Sequence, residues 1–180
     1  FQFFGIKKGA IEDLENLLVD YRMRPNTEAQ KVAVEKVIKS YYQEEERPLA
    51  TIELTEKKTA DQQNDFEYHI TINPGPKGQV AGLTIATNID LPEKKLKKAM
   101  QTTAPWRLFD PMRRPKYSED YFTEDQEALL KYIHNQGFRD AQITTQKAEH
   151  LGKGKFDLHV HVECGQRYHL RSVSWVGNKL

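Results

Sequence analysis

The chain has 180 residues, of which 29% are charged and 38% hydrophobic, with a formal net charge of +1. This is an ordinary composition for a globular protein, and no apolar run approaches the ~20 residues of a membrane-crossing helix. The single cysteine, Cys164, excludes an internal disulfide.

Phe1–Gly5 reads as a short aromatic strand, with Phe1, Phe3 and Gly5 on one face and Gln2 and Phe4 on the other. Ala10–Val19 carries Ile11, Leu14, Leu17 and Leu18 at helical spacing. Thr27 opens a second helix with a Thr27-x-x-Gln30 capping box; Val34, Val37, Ile38 and Tyr41 face inward, and Pro48 ends the run. Ala50–Thr55 is a β-branched strand and Lys57–Asn64 a polar loop. Phe66–Ile72 alternates, with Phe66, Tyr68, Ile70 and Ile72 inward and Glu67, His69 and Thr71 outward. Pro74-Gly75-Pro76 breaks the chain.

The same order then recurs. Val80–Thr87 is a strand, and Pro92 opens a short helix with Leu96, Ala99 and Met100. Ser118 caps a longer helix, with Glu119 and Asp120 in its first turn. Gln142–Gln146 and Phe156–Glu163 are strands joined through Lys153-Gly154, and Tyr168–Val176 begins a third copy. Tyr41 and Ile52 stand at the same separation as Tyr132 and Ile143, and Gly75 and Asn88 at that of Gly165 and Asn178. A fixed-period repeat means one supersecondary unit used in tandem. The expected class is α+β: two β-α-α-β-β units, each a three-stranded mixed sheet with two helices on one face. Expected domains are 1–77, with its first strand clipped, 78–166, and 167–180 as the first strand of a third unit. The prolines of the Pro74–Lys77 joint predict limited hinge motion. The second unit has a longer helix–helix connection, Thr102–Lys116, which is aromatic, basic and proline-punctuated.

A helix running from Tyr132 into Gly137-Phe138, a strand opening Asp140-Ala141-x-Ile143, a Gly165-x-Arg167-Tyr168 turn and a closing Val176-Gly177-Asn178 resemble the polypeptide-transport-associated repeat, POTRA. Gly137–Ala141 and Trp106-x-Leu108-Phe109 resemble in particular the BamA-type outer-membrane assembly factors of Bacteroidetes-like bacteria. In the first unit Glu46-Arg47 stands where Gly137-Phe138 stands in the second. The resemblance implies the N-terminal periplasmic arm of a longer protein with neighbouring POTRA domains and a C-terminal membrane β-barrel. Such an arm lies on the periplasmic face of a Gram-negative outer membrane. There it receives unfolded outer-membrane β-barrel proteins and docks accessory lipoproteins. Two alternatives are the same module in a two-partner secretion or translocation-assembly transporter, and a basic lipid- or nucleic-acid-binding domain.

A strand joined by a hairpin on one side only, and lying at a sheet edge, offers free N–H and C=O groups to an extended chain. The candidates are Thr51, Ile52, Glu53, Leu54 and Thr55, and Gln142, Ile143, Thr144, Thr145 and Gln146. Trp106, Phe109, Arg113 and Arg114 form a candidate partner patch in the long connection. Residues 1–77 carry 11 Lys/Arg against 14 Asp/Glu, and residues 78–180 carry 16 against 12. The excess lies between Glu93 and Lys116, where Lys94, Lys95, Lys97 and Lys98 read as a solvated face or a contact for lipid head groups or an acidic partner. No nucleic-acid motif accompanies them, so no nucleic acid is expected. His69, His159 and His161 sit on strand faces without the four-ligand pattern of a closed metal site. No nucleophile elbow, phosphate loop, dinucleotide fingerprint or His-Glu-x-x-His occurs. The expectation is a binding module with no cofactor and no catalysis.

Overall fold

The computed structural model describes residues 1–22, 26–58, 66–103, 115–169 and 171–172. The first unit runs β1 (Gln2–Phe4), α1 (Lys8–Leu17), a 3-10 turn (Val19–Tyr21), α2 (Glu28–Glu44), β2 (Thr51–Lys58) and β3 (Phe66–Asn73). The second runs β4 (Gln79–Thr87), α3 (Glu93–Ala99), α4 (Glu119–Asn135), β5 (Gln142–Gly152) and β6 (Lys155–Glu163). The sheets have strand orders β1-β3-β2 and β4-β6-β5. In each the first strand is parallel to the central one, and the hairpin pair is antiparallel. These are the two tandem β-α-α-β-β units read from the repeat.

Local chemistry explains where the elements start. The Thr27 and Ser118 side chains accept from the third residue of their helices, Gln30 N–H and Tyr121 N–H, each at 3.2 Å. Such a cap is worth about 1 kcal/mol. The α2 stripe Val34, Ile38 and Tyr42 packs on Tyr68, Ile70 and Ile72 of β3, with Leu14 and Leu18 completing the core and Phe1 and Phe3 at its margin. In the second unit Leu129 and Ile133 of α4 pack on Leu158, Val160 and Val162 of β6, with Leu83, Leu96 and Met100 closing the layer. Cys164 is fully buried there, and burial pushes its thiol up, away from the reactive thiolate.

Several expectations shift. The first helix starts earlier, at Lys8, and its last apolar residues pass into the 3-10 turn. Leu17, the last residue of the helix, is exposed, not part of the inward stripe, while Leu18 is fully buried. Phe66, expected inward, is exposed at the open end of β3. The strand expected at Gln142–Gln146 continues to Gly152, because Lys153-Gly154 makes a tight turn with both residues at positive φ. Trp106, Phe109, Arg113 and Arg114 lie outside the described residues, as does most of the strand expected over Tyr168–Val176.

Candidate functional site: the two sheet edges

Both candidate strands lie at sheet edges. Among the described residues β2 is bonded only to β3 and β5 only to β6, so each turns one row of backbone groups away from its sheet. What borders each edge differs, and the difference follows from a few side chains.

In the first unit the ground between α2 and β2 is charged. Lys31, four residues after the Thr27 cap, reaches Glu56 on β2 and also Glu28 at 2.5 Å. The Tyr68 hydroxyl donates to Asn26 beside them. The hydrogen bond to Glu28, then that to Glu56, holds the Lys31 ammonium above its usual range. The hydrogen bond from Lys31 holds the Glu56 carboxyl below the usual carboxylate range. A carboxyl depressed on folding stabilises fully above its unfolded value of about 4.3, and the contribution is lost as pH falls through the folded value. A carboxyl-carbon NMR titration is expected to place the Glu56 midpoint below about 4.3, and Lys31→Met to move it upward.

In the second unit the same place carries an aromatic and a small side chain in the positions of that ion pair. Phe122 stands four residues after the Ser118 cap, in the position of Lys31. The sheet register supplies the other half. Glu56 pairs with Tyr68 and Leu54 with Ile70 in the first unit; Ala148 pairs with Leu158 and Gln146 with Val160 in the second. A bulge between Ile143 and Thr145 slips β5 by one residue, so Ala148, not Lys147, occupies the position of Glu56. Phe122 and Ala148, with Tyr117, Thr123 and Gln126, line an open groove of about 320 Å³ bordered by Glu119, Gln146 and Lys147. Tyr117 forms its floor by stacking on Phe156 at 4.1 Å between ring centroids. Thr144, displaced at the bulge, places its hydroxyl 2.7 Å from His161 Nδ1.

The sequence alone located the edges but not the groove. Neither Phe122 nor Ala148 stands out in the pattern of its own element. The signal lay in comparing helix positions counted from the two caps, where Lys31 faces Phe122, but the bulge hides the strand half of the pair.

The other candidates fall elsewhere. Lys94, Lys95 and Lys98 are exposed on α3, and Lys97 bonds Glu93 at 2.6 Å. His159 lies 3.5 Å from Asp157, and His69 lies beneath the Phe4 ring at 5.5 Å. Among the described residues no group of three or more His, Cys, Asp or Glu is placed to hold a metal ion. No helix among them is long and apolar enough to cross a membrane.

Residues 79–165 match the POTRA family model, described as a surface antigen variable number repeat. The second unit is POTRA-like. The first repeats its element order and strand order, so the chain holds two POTRA-like units in tandem. Solved structures agree on the fold of both together. POTRA domains 3–5 of Haemophilus influenzae BamA are 15% identical, with a TM-score of 0.55 over 99% of this chain and 70% of theirs. BamA of Haemophilus ducreyi lacking POTRA domains 1–3 is 12% identical, with a TM-score of 0.57 over 91% of this chain and 28% of that one. POTRA domains 1–2 of the periplasmic domain of Omp85 from Anabaena are 12% identical, with a TM-score of 0.53 over 93% and 95%. At these identities the likeness is one of fold.

Proposed function

We propose that this POTRA-like pair is part of the periplasmic arm of a BamA-type outer-membrane assembly factor, and that it receives unfolded β-barrel proteins by strand addition at β5. The POTRA match over the second unit and the fold shared with BamA and Omp85 arms support the setting. The observation that carries the binding site is a groove of mixed lining, with Phe122 and Ala148 where the first unit has Lys31 and Glu56, beside an edge that no other described strand pairs. A strand added to β5 continues the sheet, so alternate side chains point to the helix side, over Phe122 and Ala148, and the others to solvent. That alternation is the pattern of a membrane β-barrel strand, apolar on one face and polar on the other. At β2 the equivalent side chains would meet the Lys31–Glu56 bridge, so β5 is the preferred edge for an apolar strand. The docking of accessory lipoproteins, and a joined membrane β-barrel, belong to the same proposal through the family.

The test is an NMR titration of the isotope-labelled chain with peptides copied from outer-membrane β-barrel strands. Shifts are expected across Gln142–Ala148, Tyr117 and Phe122, with smaller ones at Thr51–Lys58. Ala148→Glu plants a charge in the groove and is expected to weaken binding roughly tenfold, since an unpaired charge cannot be buried against an apolar strand without loss. Unchanged affinity in Ala148→Glu, or no shift along β5 at millimolar peptide, overturns the reading.

A further inference from the structure

The two units meet at the turn after α2. Glu46 occupies that turn with φ +62, a left-handed conformation that disfavours any side chain. Gly137 holds the matching turn after α4, with φ +98. Each turn makes the same backbone bond to the chain leaving its unit. Gly78 N–H donates to the Glu46 carbonyl at 2.7 Å, and Tyr168 N–H to the Gly137 carbonyl at 2.8 Å. Each exit also passes a left-handed glycine, Gly75 at φ +63 and Gly165 at φ +65. The turn and its backbone bond therefore do not need a glutamate, and glycine makes them with less strain.

What Glu46 adds is a carboxylate. Its side chain is only 12% exposed, and its two oxygens are divided between two lysines. One bonds Lys116, in the segment that leads into α4; the other bonds Lys77, in the linker, at 3.4 Å. One side chain of the first unit thus grips both the linker and the body of the second unit. Smaller contacts surround it. The Arg47 guanidinium donates to the Gly75 carbonyl, Gln43 Nε2 donates to Glu119 at 2.9 Å, and Leu49 packs against the second core. Burial pushes the Glu46 carboxyl up, but the hydrogen bond and charge of Lys116, with Lys77, more than reverse this and leave it below the usual carboxylate range.

We infer that Glu46 is an electrostatic bolt: through Lys77 and Lys116 it fixes the angle between the two units, whose default otherwise is relative motion. Adjacent domains joined by a short linker move against each other unless something at their contact prevents it. The prolines of the linker restrict its own backbone, and Pro76 lies against Gly154 of the second unit, but neither contact ties the turn after α2 to the segment that leads into α4 through a side chain. The Glu46 carboxylate does, through Lys116.

The experiment reads the angle directly. Spin labels are placed on exposed helix positions, Lys36→Cys on α2 and Lys131→Cys on α4, in a Cys164→Ala background, and the distance distribution is measured by pulsed dipolar spectroscopy. The parent gives one narrow peak. Removing both cations in Lys77→Gln/Lys116→Gln, at sites already half exposed, is expected to roughly double the width of the distribution. Glu46→Gly is expected to broaden it similarly while relieving the turn. Reversing the bolt, with Glu46→Lys and Lys77→Glu/Lys116→Glu together, is expected to restore the narrow peak. Circular dichroism confirms that each variant keeps its helices. A double-lysine variant as narrow as the parent overturns the inference, whatever Glu46→Gly does, because glycine also loosens the turn itself.

Discussion

Asp125→Ala is expected to lower the stability of the second unit by about 3 kcal/mol, because it leaves buried donors without an acceptor. Asp125 lies on the inner face of α4 and is 4% exposed. Its carboxylate accepts from Thr102 N–H at 3.0 Å and from the Thr103 N–H and hydroxyl at 2.6 and 2.7 Å. Thr103 is completely buried, so water cannot replace the lost acceptor. These bonds hold the end of the turn after α3, from which the chain enters the long connection. For a unit of this size the loss corresponds to a fall in midpoint temperature of about 15 °C. Asp125→Asn keeps one oxygen and is expected to cost about half as much. The sharper comparison is Asp125→Val, which installs the side chain found at the same cap-relative position, Val34, in the first unit. If burial alone mattered, valine would be neutral. The hydrogen-bond account expects it to cost nearly as much as alanine, and calorimetry of the three variants decides between them.

The repeat made most of the fold legible. Matched separations between Tyr41 and Ile52, and between Tyr132 and Ile143, fix two copies without any propensity argument. Caps at Thr27 and Ser118 and the alternation along β3 and β6 then set elements and faces. What the sequence hid is of three physical kinds. A bulge is invisible to a period of two, so the register that brings Ala148 opposite Leu158 could not be counted. A left-handed residue announces itself when it is Gly137 but not when it is Glu46, although both make the same turn. An acid on a helix reads as a solvent-facing residue until a buried donor is known to sit beneath it, as Thr103 does beneath Asp125. Two of these signals were present as departures between the copies, Glu46 against Gly137 and Asp125 against Val34. Comparing copies for where they differ finds sites that comparing them for where they agree cannot.

Gly78→Ala is expected to loosen the joint between the two units, together with the adjoining margin of the second, while both central strands stay folded. A methyl group built on Gly78 would lie 2.2 Å from the Tyr117 carbonyl oxygen and 3.0 Å from Pro48 Cγ. The nearer obstacle is backbone, so no change of rotamer relieves it. Gly78 also donates to the Glu46 carbonyl, and its own carbonyl accepts from Tyr117 N–H at 3.1 Å. Next to it Val80 N–H donates to the Pro115 carbonyl at 3.0 Å and Gln79 N–H to the Gly154 carbonyl at 2.8 Å. A shift large enough to admit the methyl group must stretch several of these bonds at once, a cost of about 2–4 kcal/mol. The first core lies away from this point, and of the second only the margin formed by Tyr117 and Val80 adjoins it. Thermal unfolding of the parent is therefore expected to show the units coupled, and that of Gly78→Ala to separate into two transitions. Amide exchange supplies the local readout: protection at Gly78 and Tyr117 falls, while that at Ile70 and Val160, on the central strands, is retained. A single unshifted transition with protected Gly78 and Tyr117 would mean that the joint yields to the methyl group cheaply. The Glu46 carboxylate would then be holding two bodies whose backbone contact contributes little.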